Sequence, residues 1–154
     1  MQMRTGFLAA FAVAVARAAV HRVSVGKGRF TYTPDVVRAA KGDVLEFKFV
    51  GGVHDAVTGD FAHPCQPAAK KHGAFSSGVF RGKANTNEVF KVTVNSEDPM
   101  LVYCSVPGHC AEGMVMVINP SEDTSIDTVR AAARGKSARA PDGVFGGEMG
   151  APSA

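Results

Sequence analysis

Apolar and polar residues alternate with a period of two through most of residues 20–118, and this pattern predicts strands. His21, Val23 and Val25 alternate with Arg22 and Ser24 before Gly26-Lys27-Gly28 turns the chain. Phe30–Thr33 and Val36–Ala39 read as two short pieces on either side of Pro34. In Val44–Val50, Leu45, Phe47 and Phe49 point inward while Glu46 and Lys48 face water, as in a sheet with one buried face. Glu88–Val94 repeats the alternation with Phe90, Val92 and Val94 on one side, and Leu101–Cys104 with Met114–Ile118 supplies a last pair of strands. Residues 58–88 hold Gly59, Pro64, Pro67, Gly73, Gly78 and Gly82 and keep no period. Six to eight short strands with Gly/Pro turns predict an all-β sandwich or barrel.

Both ends depart from this pattern. Arg4 precedes the apolar run Gly6–Val15, and Ala16-Arg17-Ala18 follows it, which is the form of a secretory signal over residues 1–19. The run is shorter than the roughly 20 residues a membrane span needs, so no span is expected. Beyond Asn119-Pro120, residues Thr124–Arg134 predict a short helix with Ser121 as N-cap and Glu122 and Asp123 in its first turn. Gly135–Ala154 is rich in Gly, Ala, Pro and Ser without an apolar face, which predicts a flexible, disordered tail. The expected division is therefore a signal at 1–19, a β-domain at 20–120, and a helix plus tail at 121–154.

Charge and composition narrow the function classes. The formal charge is +3, and without residues 1–19 the chain keeps 15 basic and 14 acidic side chains. No basic run with interleaved aromatics is present, so nucleic acid is not an expected partner. A single domain of this size is expected to be a monomer.

The cysteine count changes the picture more. Three cysteines in a secreted chain suggest one disulfide and one thiol with another task. Cys104, His109 and Met114 sit on one strand–loop–strand with four residues between each, and Val53-His54 offers a second imidazole at the end of an apolar strand. A thiolate, imidazoles and a weak thioether form the donor set that suits copper. Structural zinc would call for four Cys/His ligands, and calcium for an acidic loop. With Cys104 in the metal-like spacing, Cys65 and Cys110 are left to pair as the simplest division.

The segments Gly51-Gly52-Val53-His54-Asp55-Ala56-Val57 and Cys104-Ser105-Val106-Pro107-Gly108-His109-Cys110-Ala111-Glu112-Gly113-Met114 resemble the ligand regions of cupredoxins. Within that family the chain is most similar to phytocyanin-like members and to secreted fungal cupredoxin-like proteins, as Asp60–Cys65 and Val117–Pro120 also indicate. The resemblance covers about residues 21–120. It implies a Greek-key β-sandwich holding one copper ion, cycling between Cu(I) and Cu(II), with His54, Cys104 and His109 equatorial and Met114 axial. It also implies a Cys65–Cys110 disulfide and a secreted location, cell-wall association included. Asp55 departs from relatives, which more often carry Asn, Ser or Thr there.

The function this points to is one-electron transfer to an unidentified redox partner, with His109 as the electron port and no catalysis at a closed site. One alternative is a copper-buffering module without a redox partner. Another is an oxidative enzyme in which His21 becomes the N-terminus and chelates copper. His63 and His72 carry no assigned role.

Overall fold

A computed structural model describes residues 17–71, 73–82 and 87–154. The expected signal, up to residue 16, and His72 lie outside the described residues. Among the described residues, eleven strands and one helix follow in the order β1 (Val20–Val25), β2 (Tyr32–Thr33), β3 (Val36–Val37), β4 (Val44–Phe49), β5 (Val53–His54), β6 (Val57–Gly59), β7 (Phe80–Arg81), β8 (Val89–Thr93), β9 (Met100–Tyr103), β10 (Val115–Ile118), α1 (Ile126–Ala133) and β11 (Glu148–Gly150). The count exceeds the six to eight expected because several strands are pairings of two or three residues in turn-rich sequence, too short to show a period.

Two sheets form an all-β sandwich. One has the order β11-β8-β4-β1-β2, the other β3-β10-β9-β6, and β5-β7 makes a small ribbon. Strand β1 runs parallel to β4, with His21 opposite Leu45, and the chain passes repeatedly from one sheet to the other. Between the sheets lie Val23, Val25, Leu45, Phe47, Phe90 and Val92 from one side and Val102, Met116 and Ile118 from the other. Residues of the same face meet because strand side chains repeat every two positions.

All four residues of β10 are buried. Met116 and Ile118 enter the sandwich, while Val115 and Val117 join Leu101 and Tyr103 in a second cluster, closed by Val129 and Ala133 of α1. The uninterrupted run Val-Met-Val-Ile is what a strand covered on both faces requires. Ser125 caps α1, its hydroxyl accepting from the Thr128 N–H at 3.2 Å. The expected cap, Ser121, is instead engaged with Thr124 in the preceding turn, which moves the helix start forward.

Residues 136–154 are not a disordered tail. Arg139 N–H donates to Cys65 O at 3.0 Å, Tyr103 Oη donates to Arg139 O at 2.5 Å, and Phe145 exchanges two main-chain bonds with Ser76. Strand β11 then extends the first sheet along β8. This segment is recognised through its main chain, so composition and periodicity carry no trace of it. It also corrects the reading of Glu46, which does not face water: the side chain is 1% exposed and accepts from the Ser153 N–H at 2.6 Å.

Candidate metal centre

Strand β9 ends at Tyr103, just before Cys104, and β10 begins after Met114; the loop between them closes on itself through main-chain bonds. Cys104 N–H donates to Met114 O at 3.2 Å, and Met114 N–H donates to His109 O at 2.9 Å. His109 N–H donates in turn to Val106 O at 3.1 Å. Cys104, His109 and Met114 are thus linked through one another's backbones. A disulfide joins Cys110 to Cys65, with Cα atoms 5.8 Å apart, and fastens the loop to the turn-rich segment.

The fourth donor arrives from another part of the chain. His54 closes β5 and stands opposite Phe80 of β7. Its ring lies against two glycines: a Cβ on Gly52 would fall 2.5 Å from Nε2, and one on Gly26 2.6 Å from Cδ2. Both glycines have positive φ, +75° and +80°, which a side chain would strain. They bring main chain against the imidazole and leave His54 only 4% exposed.

His54, Cys104 and His109 come together, one donor atom of each lying within 4.8 Å of the others. Cys104 Sγ is 3.4 Å from His109 Nδ1. Cys104 is the one free cysteine and is buried, whereas His109 is half-buried beneath the Phe30 ring, centroids 4.1 Å apart. The Arg29 guanidinium lies over the Phe30 ring, 4.8 Å from its centroid. Met114 is buried in the same core cluster as Cys104. His21, in β1, does not join the group: its Nε2 lies 2.8 Å from Asp43 Oδ2, just before β4. His63 pairs with Asp60 on the surface.

The donor set fits a metal on one observation above others. His54 Nδ1 is buried and has no hydrogen-bond partner, a state a buried polar atom rarely keeps without a function. Electrostatics agree. Burial, followed by the charge of Asp55, pushes the Cys104 thiol up to about 12, so it holds its proton until a cation displaces it. Burial lowers both imidazoles, helped at His54 by His109, and thereby favours the neutral form that can ligate.

Sequence reasoning singled out Asp55 but missed its partner. Its carboxylate accepts from Ser105 N–H at 2.6 Å and from the Ser105 hydroxyl, and burial raises its pKa against the lowering by those bonds. Tyr32 Oη donates to Asp55 O at 2.6 Å. The available signal was positional, since Asp55 follows one donor and Ser105 follows another. Phe30 over His109 had no such signal.

No family model matches the chain. A probable GPI-anchored cupredoxin-1 of Arthroderma benhamiae is 35% identical over 133 residues, covering 85% of this chain and 68% of that protein. An extracellular serine-rich protein of the same fungus is 36% identical over 150 residues, and the chain spans only 57% of its length. Among solved structures, a pseudoazurin from Methylobacterium extorquens AM1 overlaps 72% of this chain and 82% of its own, at 16% identity and a TM-score of 0.49. The match in sequence to a cupredoxin over two thirds of that relative's length makes this chain a member of the cupredoxin family.

Proposed function

We propose that the protein is a secreted type 1 (blue) copper protein that carries single electrons, with His54, Cys104, His109 and Met114 as its ligands. The observation that carries this reading is the unpartnered His54 Nδ1, buried beside a free thiol and a second imidazole. Met114, whose N–H and C=O bond to the backbones of His109 and Cys104, would supply the weak thioether donor. Copper bound there supplies a one-electron Cu(I)/Cu(II) couple, tuned by the thiolate, the thioether and the hydrogen bonds around them.

The chain's own residues do the rest. Cys104 gives up its proton on binding. Gly26 and Gly52 pack on the His54 ring, Phe30 packs on the His109 ring, and the disulfide fixes the loop, so the donors hold their places in both charge states. His109, the half-buried donor, is the port for electrons. Secretion rests on the signal-like residues 1–19 and on a disulfide, which persists in oxidising compartments.

Copper-loaded protein is expected to show an intense visible thiolate-to-copper band at one ion per chain. A colourless one-to-one complex overturns the assignment. Electron self-exchange then separates carrier from store, because a copper buffer has no need of fast exchange.

A further inference from the structure

On the outer face of the first sheet, Arg22 of β1, Glu46 of β4 and Lys91 of β8 stand side by side in register, and Glu148 of β11 stands opposite Lys91. Charge therefore alternates across four neighbouring strands. Glu46 is only 1% exposed although it lies on the face away from the sandwich core. Arg22 Nε and Lys91 Nζ lie 3.5 and 3.8 Å from its carboxylate. Ser153 completes the cluster: its N–H donates to Glu46 Oε1 at 2.6 Å, its C=O accepts from Arg22 Nη2 at 2.8 Å, and its hydroxyl accepts from Lys91 Nζ at 3.4 Å.

We propose that this cluster and the adjoining edge of β8 form a binding site for an extended peptide segment, occupied in cis by the chain's own residues 148–153. The site side is built in advance, because a charged carboxylate beneath two cations belongs to three core strands. The ligand side contributes little that the core needs. No residue of 136–154 is buried, and Met149 of β11 is 38% exposed. Attachment therefore rests on main-chain and polar bonds, each of modest net worth, rather than on apolar area.

The cis segment also leaves the site partly unused. Glu46 Oε2 is buried and faces Arg22 Nε at 3.5 Å, but it accepts no hydrogen bond. A cleft of about 220 Å³ lies beside it, lined by Arg22, Ser24, Glu46, Lys48, Val89 and Pro152. Proline has no N–H to offer that oxygen. A segment that leaves an acceptor and a cleft unfilled can be displaced by one that fills them. The recognised chemistry is an extended chain with an acid opposite Lys91 and a small residue whose main chain reaches Glu46.

The test uses the full chain carrying Gly147→Val, since a Cβ at 147 would lie 2.5 Å from Lys91 O and 2.6 Å from Phe90 Cζ. A labelled synthetic peptide of residues 144–154 is expected to bind this variant and not the unaltered chain. Adding Glu46→Gln should weaken that binding at least tenfold. Hydrogen exchange of the unaltered chain, which no folding defect can compromise, should show the Ser153 amide exchanging at least a hundredfold faster than that of Val92. Exchange at the core rate would make the segment integral to the fold and overturn the proposal. So would a peptide that fails to bind a variant whose own segment has been released.

Discussion

Asp55 accepts two hydrogen bonds from Ser105, one from the main-chain N–H at 2.6 Å and one from the hydroxyl. The residue after His54 is thereby tied to the residue after Cys104, and the tie carries a negative charge that burial makes costly. Ser105→Ala removes the hydroxyl bond to a buried charged group and is expected to cost about 1.5–3 kcal/mol in denaturant unfolding. Asp55→Asn keeps an acceptor but deletes the charge that favours the more positive, oxidised ion. Its reduction potential should rise by on the order of 60 mV, the tenfold step for a one-electron couple. A potential that stays put or falls would mean the carboxylate is protonated in the metal-loaded protein.

Gly52 presents a second test of how the site is held. A methyl group there would come 2.5 Å from His54 Nε2, at a φ of +75°. Gly52→Ala combines the left-handed penalty, about 1 kcal/mol, with displacement of the ring. Both a lower melting temperature and an altered visible spectrum are expected. Loss of stability with an unchanged spectrum would show that the ring is fixed by other contacts.

The ligand assignments separate by substitution. Cys104→Ala should remove the visible band entirely, because the band belongs to the thiolate. Met114→Gln should keep it while lowering the potential, as a harder axial donor favours the oxidised ion. An unchanged spectrum and potential in Met114→Gln would remove Met114 from the site.

What the sequence made legible followed from period and donor chemistry. The strands carrying Leu45, Phe47, Phe90 and Val92 were visible because one face of each is apolar and buried. Cys104 and His109 were visible because few residue types bind copper and one short loop carries both, and His54 because it ends an apolar strand. The course of residues 136–154 was not, since β11 pairs through amides and carbonyls that every sequence possesses. Glu46 was misread for the same reason, because Ser153, 107 residues away, covers it together with Arg22 and Lys91. Phe30 reaches His109 across 79 positions with no pattern to announce it.

The Cys65–Cys110 disulfide spans 45 positions, and cross-links that close long loops remove the most freedom from the unfolded chain. For a loop of that size the chain-entropy estimate is about 4 kcal/mol. Replacing both cysteines with serine should lower the unfolding free energy by about 2–4 kcal/mol, read from denaturant midpoints at constant slope. Because Cys110 directly follows His109, the same variant should broaden the spectroscopic features of the loaded site. A full stability loss with an unaltered spectrum would show that the main-chain bonds of the loop suffice to hold His109.

Asp43 supplies a pH dependence whose sign is fixed by its partners. Its carboxylate meets His21 Nε2 at 2.8 Å and accepts from the N–H groups of Ala19 and Ala40 at 2.8 and 2.9 Å. The His21 bond first, and then the two amides, lower its pKa from 3.8 to about 2. A carboxyl whose pKa is depressed by folding stabilises the native state fully above its unfolded value and loses that contribution as pH falls through the folded one. Asp43→Asn cannot accept all of these bonds as an anion and should be the less stable protein at pH 5. The gap between variant and unaltered chain should narrow progressively below about pH 4 and be smallest near pH 2, since protonation makes the two side chains alike. Denaturant midpoints measured for both proteins across that range decide it, because every other acid titrates equally in the pair. A gap that stays constant with pH would assign the cost to lost packing at the start of β1 and not to the charge of Asp43.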